Sequence, residues 1–591
     1  MAKVSGKIFD LKLFGKLMKF VTPYKGTYYF VMLAAIFLSL SSTLSPYLLK
    51  ITVDDYIRPK DYSGMLLFIS LMLIALLLEV IFQFLFVFYA NWLGQKVIKD
   101  LRQQLFEKIL VFKMAYFDNT AVGRLVTRAV SDIETISSIF SQGLFMIIAD
   151  FLKMGLVIFV MLYVDWRLSL IVFSILPIII YATRLFQKAM KKAFEEVRLQ
   201  VANLNSFVQE RISGMKIVQL FHREKIEYDS FLAINEKHKK AWLKTVWFNS
   251  IFFPVAEISA SVMMGLLVWY GGLNAVSGGS ISLGTVFLFI QMSQMLFRPL
   301  RQIADKFNTL QMGMVAAERI FAILESDHRI EDKGTLQMDQ LKGAISIQNL
   351  HFSYVEKEEV LHGISLDIAA GETIAIVGAT GAGKSTIINL LSRFYEFEKG
   401  EILIDGHSIR DFSLHNLRKH VAVVLQDVFL FADSLHNNIT LFDKQITRAT
   451  VVAAAKKIGA HEFIESLPGG YDYNVKERGV MLSAGQRQLI AFLRAYISNP
   501  NILVLDEATS SVDSNSEEII QRATDTITKD KTAIVIAHRL ATVKNADRIV
   551  VMDKGEIVEV GNHKKLLALP NGFYAKLYEV QFANETAVDS L

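Results

Sequence analysis

The expected fold class is an α-helical six-span transmembrane domain followed by an α/β P-loop domain, and two observations predict it. Hydrophobic residues make up 52% of the 591 positions and charged residues 20%, with 42 Phe, and the mean hydropathy is +0.35. That is too apolar for an ordinary soluble protein, so membrane-crossing segments are expected. The second observation is GATGAGKST at 378–386, preceded by the apolar run TIAIV at 373–377. A chain of this length exceeds what one core organises, which fits two or more domains.

Charge and cysteine content narrow the partners. The net charge is +5, with several lysines near the N-terminus and in the loops. This suits an anionic membrane surface, and no nucleic-acid partner is expected. The chain has no Cys, so disulfides, thiolate metal sites and a cysteine nucleophile are excluded. No cleavable signal peptide is expected, because a long basic segment without a small-residue cleavage site precedes the first apolar stretch.

In the first half, residues 8–20 mix Phe9, Leu11, Leu13, Phe14, Leu17 and Met18 with Lys12, Lys16 and Lys19. The pattern predicts an amphipathic helix on the membrane surface. Six span-length stretches follow at 28–49, 64–89, 145–163, 166–182, 248–270 and 282–299. Pro177 in the fourth is a candidate kink. The connections 50–63, 164–165 and 271–281 are short, whereas 90–144 and 183–247 are long, polar, helical in pattern and rich in Lys and Arg. The positive-inside rule then places the long loops, the N-terminus and the C-terminal half in the cytoplasm, with spans two to five extending past the bilayer as long helices. Glu79 and Glu257 fall inside spans, as do Gln291 and Gln294. Such groups face a cavity or a partner between packed helices, and both readings stand. The methionines Met146, Met161, Met263, Met264, Met292 and Met295 suit either adaptable substrate contacts or plain membrane core.

The second half begins after a charged linker at 325–344, and 345–354 alternates as a half-exposed strand. The run 373–377 reads as a buried parallel strand, and the residues from Ser385 have helix-compatible spacing. Strand, glycine loop and helix together make a P-loop: backbone N–H groups converge on phosphate, and the helix N-terminus adds a positive dipole end. In such a loop Lys384 reaches the β- and γ-phosphates and Ser385 offers its hydroxyl to Mg²⁺. Tyr354, ahead of the loop, has a ring that could stack on a base. ILVL at 502–505 is a second buried strand, ending in Asp506 and Glu507. An Asp there can hold Mg²⁺ through its hydration shell, and the Glu can orient or deprotonate the attacking water. TAIVIA at 532–537 is a third strand, leading to His538 at the ligand-binding edge of an open sheet.

The ordered motifs FSY, GATGAGKST, VLQDVFLF, LSAGQRQ, ILVLDEATSSVD and IAHRL resemble the nucleotide-binding domain of ABC transporters. The six-span region, with YFDNTAVGRLVTR at 116–128 and the segment 210–224, resembles that of exporter-type half-transporters. The resemblance runs from about residue 14 to 581. The expected organisation is an N-terminal amphipathic segment (1–25), a transmembrane domain with long coupling loops (26–324), the linker (325–344), the ABC ATPase domain (345–580) and a tail (581–591).

The resemblance implies roles residue by residue. Tyr354 stacks on adenine. Gly378, Ala379, Thr380, Gly381, Ala382, Gly383, Lys384, Ser385 and Thr386 hold the phosphates of ATP. Ser385, Gln426 and Asp506 serve Mg²⁺, and Gln426 also faces the membrane domain. Glu507 is the general base, His538 contacts the γ-phosphate and Asp513 belongs to the D-loop. Ser483, Gly485 and Gln486 form the signature loop, which in this family caps ATP on the opposite subunit. Loop tips around 119–125 and 213–218 resemble coupling helices. Ala484 stands where the family's LSGGQ has its first glycine, and the extra Cβ is tolerable if φ stays negative.

One ATPase domain per chain implies a dimer, either a homodimer or one chain of a heterodimeric exporter. The implied activity is ATP-driven export of drugs or lipids, as small hydrophobic or amphipathic substrates, from the cytoplasm or inner leaflet by alternating access. The setting is membrane lipid, the bacterial inner membrane, with the ATPase domain cytoplasmic. A nucleotide-gated channel or regulatory membrane subunit is the alternative, and the intact Glu507 and His538 argue against it.

Overall fold

The computed structural model describes residues 10–355, 358–506, 514–537 and 540–579. The chain divides into two compact units, Met1–Leu110 with Val122–Asp327, and Val111–Ala121 with His328–Leu591. The expected tail at 581–591 lies outside the described residues.

The first unit opens with the helix Leu11–Lys19. Asp10 caps it, accepting from the backbone N–H groups of Lys12 and Leu13, and Lys16 and Lys19 sit in its last turn, where cations suit the helix dipole. Six long helices follow: α1 (Lys25–Ile51), α2 (Tyr62–Leu110), α3 (Phe145–Val164), α4 (Trp166–Ser213), α5 (Glu224–Val276) and α6 (Leu283–Leu324). Five helical segments of this unit, ending with α5, are long and apolar enough to cross a membrane. The sixth expected stretch, 282–299, lies at the N-terminal end of α6, which packs along α1, α3 and α5. Helices α2, α4 and α5 have 49, 48 and 53 residues, and at about 1.5 Å per residue each far exceeds the bilayer's hydrocarbon thickness. Asp165 makes the abrupt α3–α4 turn by capping α4 through the N–H groups of Arg167 and Leu168 (2.8 and 2.9 Å). Helix α4 continues through Pro177.

The core of this unit gathers Val157, Met161, Leu168, Val172, Met263, Leu267, Phe289 and Met292. Meanwhile Leu66, Leu67, Leu73, Leu77 and Phe84 of α2 are exposed. An apolar face of that extent belongs in lipid.

The second unit contains a four-stranded antiparallel sheet of order β2-β1-β4-β5 and a six-stranded sheet of order β10-β9-β3-β8-β7-β6. The strands are β1 (Ile345–Val355), β2 (Glu358–Ile368), β3 (Thr373–Gly378), β4 (Lys399–Ile404), β5 (His407–Ser408), β6 (Val421–Val424), β7 (Ile502–Asp506), β8 (Thr532–Ile536), β9 (Arg548–Asp553) and β10 (Glu556–Gly561). Strands β6, β7, β8, β3 and β9 run parallel and β10 antiparallel. Alternate residues of the parallel strands enter different cores, as a sheet covered on both faces requires. Ala375, Val377, Leu503 and Leu505 join one, while Ile374, Ile376, Ile502 and Val504 join the other.

The linker is bound down. The Leu336 N–H donates to the Asp411 carbonyl at 2.8 Å, and Met338 exchanges two hydrogen bonds with the Asn416 side chain. Residues 111–121, which continue from α2, pack with this second unit through a Phe112–Arg329 bridge.

Candidate nucleotide site

Register brings the separated motifs to one edge. Ile376 of β3 pairs with Ile536 of β8, which pairs with Asp506 of β7, so the C-terminal ends of these strands are level. The P-loop leaves β3 there, and helix α7 (Lys384–Leu391) begins directly after it. Gly378 is required sterically, because a Cβ would stand 2.3 Å from the Met552 carbonyl oxygen. Gly383, the N-cap of α7, has φ +95, and a Cβ there would meet Leu361 at 2.7 Å. Ala379, Thr380 and Gly381 form the exposed crest, while Ala382 is buried and donates to the Ala379 carbonyl.

Lys384 is 8% exposed, and its ammonium donates to the carbonyls of Gly378 and Ala379 at 2.8 and 2.9 Å. Burial holds its pKa below the ordinary lysine range, and Asp506 pulls the other way. A buried, charged lysine wrapped by its own loop is what an anion would draw out. The Ser385 hydroxyl lies 3.3 Å from an Asp506 carboxylate oxygen. Hydroxyl and carboxylate are hard oxygen donors of the kind Mg²⁺ takes. Gln426 is exposed just beyond β6, the neighbour of β7. Glu507, Asp513 and His538 lie outside the described residues; in the sequence Glu507 follows the last residue of β7 and His538 is two positions past the end of β8.

The structure adds contacts that sequence reasoning missed. The Tyr354 hydroxyl donates to Thr386 at 3.2 Å and accepts from Asn389 at 3.0 Å, so the expected adenine platform is tied to the P-loop helix. Ser483 and Gln486 form a capping box at the start of helix α8 (Ala484–Ser498). The Ser483 hydroxyl accepts from the Gln486 N–H, and the Gln486 side chain accepts from the Ser483 N–H. The S-x-x-Q spacing carries that signal. Ala484 is the first residue of α8 and is not among the positive-φ residues, so its Cβ meets no backbone strain. No sequence signal marks the Asn389 and Thr386 contacts, which depend on strand β1 folding back over α7.

One expected assembly is not made within the chain. Helix α8 belongs to the core containing Ala375, Val377 and Leu505, whereas α7 belongs to the core containing Ile374 and Ile376. P-loop helix and signature helix therefore cover opposite faces of one sheet.

A multi-helix membrane unit joined to a parallel-sheet ATPase unit defines a half-transporter energised by ATP. The family model for the ABC transporter transmembrane region matches residues 28–300, and a second model, described as ABC transporter, matches 361–510. The chain is 36% identical over 575 residues to an ATP-dependent lipid A-core flippase of Haemophilus influenzae (strain 86-028NP), covering 97% of this chain and 98% of that one. It is 35% identical to YgaD of Bacillus subtilis (strain 168), a protein named for multidrug export, over 96% of this chain and 99% of that one. An uncharacterized ABC transporter ATP-binding protein of the same organism, YknV, is 37% identical over 85% of this chain and 82% of its own length. The chain belongs to the ABC transporter family, as an exporter-type half-transporter that couples ATP hydrolysis to transport across a membrane.

Proposed function

We propose that two copies of this chain form a homodimeric exporter that moves amphipathic molecules, lipids or hydrophobic drugs, by alternating access. One observation carries the substrate class. The membrane unit carries a partly open cavity of about 1820 Å³ in which Phe186, Phe252 and Met264 share the lining with Gln294, Arg298 and Glu257. Phe186 and Phe252 stack at 4.0 Å and 13°. Such a surface suits a molecule with an apolar body and a polar head. Of Glu79 and Glu257, it is Glu257 that lines this cavity. Among the methionines, Met263 and Met264 line it too, while Met161, Met263 and Met292 belong to the helix core.

The opposite placement of α7 and α8 supports a two-chain assembly, for which a second copy of this chain is the simplest partner. A P-loop capped by Ser483, Gly485 and Gln486 needs those residues from a second chain. In the closed pair Tyr354 stacks on adenine, residues 378–386 cradle the phosphates, and Lys384 exchanges its loop carbonyls for phosphate oxygens. Ser385, Gln426 and Asp506 would hold Mg²⁺, which would supply positive charge against the phosphate oxygens. Glu507 activates water, His538 contacts the γ-phosphate and Asp513 serves the dimer junction. The basic long loops support a topology with this machinery and the N-terminus in the cytoplasm of a bacterial cell and the spans in the inner membrane.

The test is steady-state ATPase of the chain purified alone in lipid nanodiscs, with candidate lipids and drugs added. Mg²⁺-dependent turnover that Glu507→Gln and Ser483→Arg each abolish, and that one amphipathic class raises, is the expected result. Nucleotide binding without turnover would overturn the homodimer and point to a partner chain or a gating role.

A further inference from the structure

Tyr395 lies just past α7, among groups that the nucleotide chemistry above does not use. Its ring stands edge-on to Tyr354, with centroids 4.9 Å apart and planes at 89°. It also meets Phe352 at 5.9 Å and 77°, while Phe352 and Tyr354 meet at 4.8 Å and 88°. Three rings in mutual edge-to-face contact fix one another's orientation, because each pair favours that geometry. No one of them turns without disturbing both others.

The other end of Tyr395 faces the loop between α2 and α3. Its hydroxyl donates to the carboxylate of Asp118, the last residue of the short helix Met114–Asp118. Burial first, then Asp118, pushes the Tyr395 hydroxyl well above the usual tyrosine range, so it remains a donor. That short helix is itself held. The Lys113 N–H donates to the His328 carbonyl at 2.8 Å, and Tyr116 packs between Phe112 and His328 at 4.6 and 4.9 Å. A continuous set of contacts thus runs from the segment after α2, through Asp118 and Tyr395, to Tyr354 and on to Thr386 of the P-loop helix.

We propose that Tyr395 is a positioning residue through which Asp118 sets the ring of Tyr354, making nucleotide affinity responsive to the loop that continues from α2. The proposal rests on the reading of Tyr354 as the adenine platform. Linkage makes the effect reciprocal: nucleotide that fixes Tyr354 also favours the Asp118-bound arrangement of the loop.

The experiment measures KM for ATP and kcat for the full chain in nanodiscs, in Tyr395→Phe, Asp118→Ala, their double variant and Tyr354→Ala. Tyr395→Phe keeps the ring and removes only the bond to Asp118. It is expected to raise KM for ATP roughly three- to tenfold, the worth of one hydrogen bond, with a smaller change in kcat. Asp118→Ala should give a similar rise, and the double variant no more than the larger single effect. Effects of the two singles that multiply, or an unmoved KM in Tyr395→Phe, overturn the proposal. A merely structural tyrosine would lower the melting temperature of the nucleotide-free protein and leave KM in place, which also overturns it. If Tyr354→Ala raises KM while Tyr395→Phe does not, the proposal fails and the platform reading stands. If Tyr354→Ala leaves KM unchanged, the platform reading fails and the proposal falls with it.

Discussion

The Ser385 hydroxyl meets the Asp506 carboxylate at 3.3 Å although 121 positions separate them in the chain. Strand order makes the meeting possible: β8 alone separates β3 from β7, and its last residue pairs with Asp506. If the pair holds Mg²⁺, Asp506→Asn should keep the fold and weaken metal use. ATPase at fixed ATP, followed against Mg²⁺ concentration, should fall about 10- to 100-fold and require more metal for half-activation. An unchanged Mg²⁺ curve would remove Asp506 from the metal site.

Lys384 supplies a second prediction. Its ammonium is held by two loop carbonyls and is short of solvent, so phosphate should replace those partners at small cost. ATP at about 100 times its dissociation constant should add about 2.7 kcal/mol of stability to the native chain. Measured with EDTA to prevent turnover, that rise in melting temperature should vanish in Lys384→Ala. A full thermal shift in the variant would count against the phosphate role.

Legibility in the sequence followed the range of the interactions. Strand β3, the P-loop and β7 were readable because a buried parallel strand is a continuous apolar run and the loop's glycines answer local demands. The six apolar stretches were readable for the same reason, since lipid imposes length and composition on each helix separately. The resemblance of 119–125 to a coupling helix implied docking on an ATPase domain, but the extent 111–121 and its partners were not readable, because they depend on Phe112, Tyr116 and Asp118 finding His328, Arg329 and Tyr395 far along the chain. The capping box at Ser483 and Gln486 has a local sequence signal, S-x-x-Q, carried by the same residues that match the signature loop. Opposite placement of α7 and α8 needed the sheet itself: only the alternation of Ile374 and Ile376 against Ala375 and Val377 tells which core each helix covers.

A pH dependence follows from His563. Its Nδ1 and the Tyr574 hydroxyl are 2.7 Å apart. Burial, then Lys544, holds the imidazole below its ordinary value of 6.5, and burial pushes the Tyr574 hydroxyl up to about 12. Tyrosine therefore donates and neutral histidine accepts. Above 6.5 neither folded nor unfolded histidine carries the proton, so the full stability is present. As pH falls through that value the unfolded chain protonates first, and stability is lost. Melting temperature should drop between about pH 7 and about pH 5.5. His563→Asn, which keeps an acceptor without a proton to gain, should reduce the slope. Some slope should survive, because burial lowers His436 in the same direction. An identical slope in the variant would show that His563 is not a source of the acid sensitivity.

Lys476 sits three residues before the buried Gly479, in the turn that leads to the signature serine. Its backbone has φ 60 and ψ −175, a region that glycine alone enters cheaply, and its side chain points into solvent where it contributes little. Two fixed points hold it there. The Lys476 N–H donates to the Asn474 side chain at 2.9 Å, and its carbonyl accepts from the Gly479 N–H at 3.2 Å. Gly479 itself is buried beside Leu430, where a Cβ would stand only 2.7 Å away, so the far end of the turn is closely packed. The strain costs on the order of 1–3 kcal/mol, against which glycine loses about 0.5–1 kcal/mol of chain entropy. Lys476→Gly should therefore stabilise the ATPase unit by about 1 kcal/mol, read as a rise of about 2–4 °C in its melting temperature. Arg478, at φ 55 and ψ 14, lies in the ordinary left-handed region, so Arg478→Gly should gain less. Equal gains from the two would mean that positive φ alone, and not the extended ψ of Lys476, carries the cost. A fall in melting temperature for Lys476→Gly would mean that the turn is not strained. A rise accompanied by lower ATPase would show that the strain serves to aim Ser483 rather than merely being tolerated.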